Sequence, residues 1–298
     1  MRRYLGRLSR KLSASAMLDS ILPTLNSLIK GSGDSLLALL PISIALGATF
    51  TLLGLISSTA CNPDSKPWWK KSDLLTDLCY WFVIPLFTRY LRVGLLVMGA
   101  TVVFGLTNAD DIVAFLEHGH GTLARLPLWG QIILYLALSD FMLYWIHRIF
   151  HGNHLWKYHA VHHSSEELEW ISAGRFHPLN IFLGTVLVDV VLILSGIAPD
   201  VLIFMSPFNA AMSAFVHANL NWNLGPFKYI LASPVFHRWH HTFVGGDSGK
   251  NFASTFPFLD LLFGTFYMPE KKLPSHYGIG DPEFPESFGR QILYPLKR

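Results

Sequence analysis

Long apolar runs separated by polar segments restrict this chain more than any other feature. Residues 35–56, 79–106, 129–147, 181–197 and 201–215 consist mainly of Leu, Ile, Val, Phe and Ala. A helix of about 20 such residues crosses the roughly 30 Å hydrocarbon core of a bilayer. In lipid, a helix also satisfies all its backbone N–H and C=O groups internally. Charge is correspondingly scarce. Asp, Glu, Lys and Arg make up 14% of the 298 residues, against about 25% in a soluble domain. The expected fold is an all-α integral membrane protein with about four to six transmembrane helices.

Several segments leave local choices open. The run 79–106 contains Arg89 and Arg92, so it reads either as one span from about residue 91 with an interfacial lead-in or as a short hairpin bent at the arginines. Trp68 and Trp69 beside Lys70 and Lys71 suit a membrane interface. Residues 108–128 are polar and interrupted by Gly119 and Gly121. Ala198-Pro199-Asp200 is a tight connection, so the runs on either side of it should form a membrane hairpin. The first 17 residues are basic and rich in Ser and Leu, and Asp19, Asn26, Lys30 and Asp34 interrupt the stretch between them and residue 35. They are expected to lie as a cytoplasmic amphipathic segment on anionic headgroups, with a transit peptide as the alternative. Cys61 and Cys79 lack metal-knuckle spacing and are expected as free thiols, a bridge being the alternative in an oxidising compartment. The net charge of +3, with no long Lys/Arg run, excludes nucleic acid as the expected partner. This divides the chain into an anchoring region 1–128, a middle region 129–270 and a polar tail 271–298.

Three histidine clusters lie in that middle region. They read H-R-I-F-H (His147, His151), H-A-V-H-H (His159, His162, His163) and H-R-W-H-H (His237, His240, His241). Imidazole is the commonest neutral metal ligand, and residues i, i+3 and i+4 of a helix lie close together. Eight clustered rings therefore imply a site for more than one ion. A hairpin leaves and re-enters on the same face, so the clusters before and after it should meet in a helical cap on one side of the membrane. Basic residues flanking them, among them Arg148, Lys157, Arg175 and Lys250, argue for the cytoplasmic side. His217 ends the returning hairpin helix with Asn221 four residues on, a candidate ninth ring with an amide or an amide-held water. Asp140, Tyr144, His147 and His151 form one helical stripe, which makes Asp140 a candidate acceptor behind the rings. His177 is a candidate ligand or supporting residue, and His154 a candidate outer one. His118, His120 and His276 read as surface residues. On donor softness alone the set suits Fe, Zn, Cu or Ni. No H-E-x-x-H is present, which argues against a zinc protease.

The segments S-D-F-M-L-Y-W-I-H-R-I-F-H (139–151), L-W-K-Y-H-A-V-H-H-S (155–164), R-F-H-P (175–178) and F-H-R-W-H-H (236–241) resemble the fatty acid hydroxylase/sterol desaturase superfamily. N-F (251–252) and F-L-D-L-L-F-G-T-F-Y (258–267) are similar to its C-terminal end. The resemblance covers about residues 129–268. It implies two iron ions per chain, bound by the eight clustered histidines, that use O2 and two external electrons to hydroxylate or desaturate a lipid. Some members carry a second H-x-x-x-H where this chain has His217 and Asn221, so a tenth ring is absent. Without a GxGxxG or a haem-binding segment in the sequence, the resemblance implies a separate donor, cytochrome b5-like or a ferredoxin with its reductase. The expected place is the endoplasmic reticulum or a bacterial inner membrane. The main alternative is a membrane metal-binding or metal-transport protein without oxygenase activity, although transport sites usually lie near the bilayer midplane.

Overall fold

The computed structural model describes residues 14–56, 60–62, 66–152, 154–243, 249–270 and 272–296. The basic segment expected on the headgroups falls largely on residues 1–13, outside the described residues. The chain divides into two compact units, Met1–Ser43 and Ile44–Arg298. The first is helical from Ala14 as the leading part of α1 (Ala14–Ile56). Asp19, Asn26, Lys30 and Asp34 do not interrupt this helix. Its Ser35 and Ser43 hydroxyls donate back to the carbonyls of Gly31 and Leu39, both at 2.7 Å. A hydroxyl satisfied within its own helix is tolerated in lipid.

In the second unit the next helices are α2 (Leu74–Phe104), α3 (Ala109–His118), α4 (Leu128–Phe150) and α5 (Trp156–His163). The hairpin is α6 (Pro178–Leu194) and α7 (Pro199–His217). Shorter helices α8 (Pro234–His240), α9 (Phe258–Leu262) and α10 (Phe288–Leu293) complete it. No strand occurs among the described residues. Among the described residues, four helices are long and apolar enough to cross a membrane: Lys30–Ile56 within α1, α2, α4 and α7, with α6 a shorter apolar helix. Large side chains such as Leu55, Phe87, Val102, Ile133 and Ile203 stay more than half exposed. Such an apolar surface belongs in lipid.

α2 settles the ambiguity around the arginines. It is one continuous helix through Pro85, Arg89 and Arg92, so the bent hairpin does not form. It begins at Leu74, earlier than either reading of the apolar run. Arg92 is held by an ion pair to Asp189 of α6 at 2.9 Å, which removes the reason for the chain to bend the charge out of the membrane. Leu96 and Ala100 of α2 pack against Val186, Val190 and Ile193 of α6. The α6–α7 connection turns at Gly196, whose φ of +107° suits a residue without Cβ. Inside α6, residues Phe182–Val186 form a π-helical turn, a distortion frequent at functional sites.

A buried ion network ties the start of α2 to the segment after α5. Arg175 and Lys71 both bond Asp73 and Asp77, and Lys71 also donates to Ser165 and Ser172. The segment set apart as a polar tail also packs here. Phe288 and Ile292 lie against Tyr80, Ile84 and Val161. Cys61 and Cys79 are free thiols.

Candidate metal centre

Nine imidazoles converge at the end of the bundle where α4 and α7 terminate. They form two groups: His147, His151, His159, His163 and His240, and His162, His217, His237 and His241. Within each group the potential ligand atoms all lie within 4.8 Å of one another. Helix geometry explains the sorting. At about 100° per residue, i+4 lies about 40° from i while i+3 lies about 60° the other way. In α5 the i, i+4 pair His159 and His163 therefore faces the first group and His162 the second. In α8 the pair His237 and His241, the latter just past its end, faces the second group and His240 the first. Each H-x-x-H-H triplet thus serves both groups. α4 with its C-cap His151 adds a pair to one, and α7 a single ring to the other.

Hydrogen bonds fix the ring tautomers. The Nδ1–H groups of His147, His162, His217 and His240 donate to the carbonyls of Phe252, Arg175, Ser213 and Lys250 at 2.8, 3.1, 2.7 and 2.7 Å. His159 Nδ1 donates to Asn180 Oδ1 at 2.6 Å. A carbonyl only accepts, so each of these rings carries its proton on Nδ1 and a bare lone pair on Nε2. Those lone pairs face each other, His147 to His159 at 3.1 Å and His162 to His217 at 3.3 Å. No proton stands between them. Two imidazole nitrogens about 2.1 Å from one ion lie about 3.0 Å apart in an octahedron and about 3.4 Å apart in a tetrahedron. The observed spacings match that range, so the donor set fits a metal in each group. His240 Nε2 is buried without a hydrogen-bond partner among the described residues, as a ligand atom would be. Burial, and secondarily the neighbouring rings, hold the imidazoles of His162, His163, His237 and His241 well below their usual pKa. They stay neutral and available as donors.

The proposed supporting residues are arranged differently from the sequence expectation. Asp140 makes its hydrogen bonds to backbone: its oxygens accept from the N–H groups of Thr255 and Phe256, both at 2.9 Å. Tyr144 is fully buried, shares a hydrogen bond with Thr265 Oγ1 at 2.8 Å and packs on Phe252. Asn221 lies four residues beyond His217, outside the helix that carries that ring. α7 ends at His217, so the i, i+4 relation does not reach it. Asn219 accepts from the N–H groups of Cys61 and Asn62. His177 caps α6: its Nδ1 accepts from Leu179 N–H and its Nε2 donates to Ile292 O, which leaves no nitrogen for a metal. His154 is exposed in the turn between α4 and α5 and belongs to neither group.

Asn180 and the four carbonyls are not visible in the sequence. Asn180 does sit three residues after His177 in R-F-H-P-L-N, but backbone carbonyls carry no residue signal. Phe252 is itself held by Asp260, whose carboxylate accepts from the N–H groups of Phe252 and Ala253 at 2.7 and 2.9 Å. Asn251, at φ +56°, bonds Phe236 O and both backbone groups of Tyr267.

A cavity of about 210 Å³ opens from both groups into the bundle between α4, α6 and α7. His147, His159, His162, His217 and His237 stand at one end, and Leu143, Ile146, Val188, Met212 and Val216 line its wall. Phe176 stacks on His162 at 4.0 Å and contributes to the same lining. The arrangement suits an apolar molecule brought end-on to two metal positions.

Residues 132–265 match the family model described as fatty acid hydroxylase. An ornithine lipid hydroxylase from Rhizobium tropici is 31% identical over 182 residues, 61% of this chain and 55% of that protein. Human alkylglycerol monooxygenase is 33% identical over 155 residues, 52% of this chain and 34% of that protein. Methylsterol monooxygenase 2-2 of Arabidopsis thaliana is 32% identical over 148 residues, 47% of this chain and 55% of that protein. The chain thus spans between a third and about half of the length of these relatives. No solved structure matches it.

Proposed function

We propose that this chain, which over residues 132–265 belongs to the fatty acid hydroxylase family, oxidises a C–H bond of a membrane lipid with O2 at two iron ions held by its nine clustered histidines. The observation that carries this reading is the placement of two groups of converging imidazole lone pairs at one end of an apolar cavity between α4, α6 and α7. Three curated relatives named as lipid hydroxylase or monooxygenases support it.

His147, His151, His159, His163 and His240 would hold one ion, and His162, His217, His237 and His241 the other. The iron pair, when bound, supplies activation of O2 with two electrons from an external donor, cytochrome b5-like or a ferredoxin with its reductase. Hydroxylation balances as R–H + O2 + 2 electrons + 2 protons giving R–OH + H2O. Desaturation removes two hydrogens and releases two waters.

The chain's own contribution is positioning. Phe252 O, Arg175 O, Ser213 O, Lys250 O and Asn180 Oδ1 lock ring orientation and keep the Nδ1 protons in place. The apolar wall from Leu143 to Val216 excludes water and directs one carbon of the lipid at the histidine end. The active site would face the cytoplasm, at the endoplasmic reticulum or a bacterial inner membrane.

The test is expression in a host lacking sterols, with lipid extracts compared for gain of one oxygen or loss of two hydrogens, together with metal analysis of the purified chain. Two irons per chain and a product that disappears in His162→Ala but not in His118→Ala are expected. Bound zinc, or haem absorbance, without O2 uptake refutes the oxygenase and favours a metal-binding or transport role.

A further inference from the structure

A polar cluster lies at the end of the cavity away from the histidines. Tyr135 of α4, Asp189 of α6 and Asn209 of α7 all line it. The Tyr135 hydroxyl donates to Asp189 Oδ1 at 3.3 Å and accepts from Asn209 Nδ2 at 3.0 Å. Asp189 Oδ2 pairs with Arg92 of α2 at 2.9 Å. These groups sit within apolar helices, where polar and charged side chains are costly and mark function by default.

Helix packing accounts for three of the four. Arg92 and Asp189 neutralise each other, and Tyr135 joins α4 to that pair. Asn209 is not explained in this way. It is exposed on an apolar helix, and this one hydrogen bond is all the structure gives its amide among the described residues. Its Oδ1 and second N–H remain open to a ligand entering where the cavity meets the surrounding lipid. A half-used amide in hydrocarbon costs free energy, unless a polar group arrives to complete it.

The distances then specify the ligand. Asn209 lies eight residues before His217 on α7 and Tyr135 twelve before His147 on α4. At 1.5 Å per residue these separations are about 12 and 18 Å. Leu136, Leu143, Met212 and Val216 lie between the two ends. The Arg92–Asp189 pair leaves the cluster without net charge, which favours a neutral hydrogen-bonding group over an ionic one.

We infer that Asn209 and Tyr135 recognise a hydroxyl or amide of the lipid substrate. The substrate class is therefore a lipid with a neutral hydrogen-bonding group about 12–18 Å from the carbon presented to the histidines, not a hydrocarbon chain sorted by length alone. This rests on the lipid-oxidation reading for its meaning, but it can be tested without turnover.

The full chain in detergent micelles is titrated with tritiated 1-hexadecanol, and hexadecane and unlabelled 1-hexadecanol compete for the label. The wild type should prefer the alcohol by about tenfold or more. Asn209→Leu and Tyr135→Phe should each weaken alcohol binding about five- to tenfold, the scale of one or two hydrogen bonds, and leave hexadecane competition unchanged. Melting curves check that both variants fold, and Asn209→Leu, at an exposed position, carries the test if Tyr135→Phe does not. No alcohol preference in the wild type, or the same preference in the folded variants, overturns the inference even if lipid products form. A preference lost in the variants, with no lipid oxidised by the wild type, upholds the subsite and removes the oxygenase reading instead.

Discussion

Asn180→Leu separates a residue that orients a ring from one that merely fills space. The Asn180 amide oxygen accepts from His159 Nδ1 at 2.6 Å, and His159 is 1% exposed. Leucine keeps the heavy-atom count and the branching at Cγ but has no acceptor, so the Nδ1–H is left buried and unpaired at a cost of about 1–3 kcal/mol. The ring relieves this by rotating, and rotation displaces Nε2 from both His147, at 3.1 Å, and His163, at 3.2 Å. Loss of a partner behind a metal-bound histidine typically lowers metal affinity 10–100-fold, about 1.4–2.7 kcal/mol. The other group should feel little of this, because His162 is anchored separately on Arg175 O. Metal-free protein titrated with Co(II), read by ligand-field absorption, should show two binding classes in the wild type. In Asn180→Leu one class should weaken by about 10–100-fold while the other holds, and Asn180→Asp, which keeps an acceptor, should restore it. Because Asn180 also lines the cavity, activity alone would not discriminate. Wild-type affinity in the leucine variant, or equal weakening of both classes, refutes the assignment of His159 and its partner.

The buried ion network and Glu169 lead to two further expectations. Asp77→Ala leaves Lys71 and Arg175, whose side chains are 2% and 1% exposed, to share the carboxylate of Asp73, and with one buried cation no longer balanced should cost about 3–5 kcal/mol. Its melting temperature should fall well below that of Asp110→Ala, a change at an exposed position of α3, and coincident melting curves would show that the network carries no stability. Burial pushes the Glu169 carboxyl up to about 7, against the counteracting charge of Arg238. Folding thus favours the protonated acid, so its contribution to stability is fully present below the unfolded pKa of about 4.5 and is lost as pH rises through about 7. Glu169→Gln has no charge to desolvate, and its melting temperature relative to the wild type should rise between pH 5 and pH 8. A constant or shrinking difference would show that the carboxylate is ionised without penalty.

The readable and unreadable parts of the site differ in physical kind. The triplets are legible because i, i+3 and i+4 spacing is a property of the helix itself, and His217 because a hairpin returns to the face it left. What spacing does not reveal is that i+3 and i+4 diverge by about 100°, so that each triplet feeds two groups instead of filling one. α2 is ambiguous in sequence for a related reason. Whether Arg92 bends the helix depends on Asp189, 97 positions away in the chain and close only through packing. Asn221 shows a third limit: an i, i+4 relation requires the helix to continue, and α7 stops at His217.

Asp140 exposes the underlying assumption, that a carboxylate near metal-binding histidines should touch a ring. Around these two groups the acids contact backbone and cationic side chains instead. Asp140 holds the N–H groups of Thr255 and Phe256, Asp260 those of Phe252 and Ala253, and Asp73 with Asp77 the guanidinium of Arg175. Two of the residues so fixed, Phe252 and Arg175, turn their carbonyls to His147 and His162. Negative charge thus reaches the rings one peptide removed. A carboxylate in direct contact would pull the Nδ1 proton toward itself and make the ring more anionic in character. A carbonyl keeps it neutral while still fixing its direction. The all-imidazole donor set therefore depends on loops pinned by acids, which is why the sequence from 250 to 267, with no histidine of its own, shapes the site as much as the triplets do.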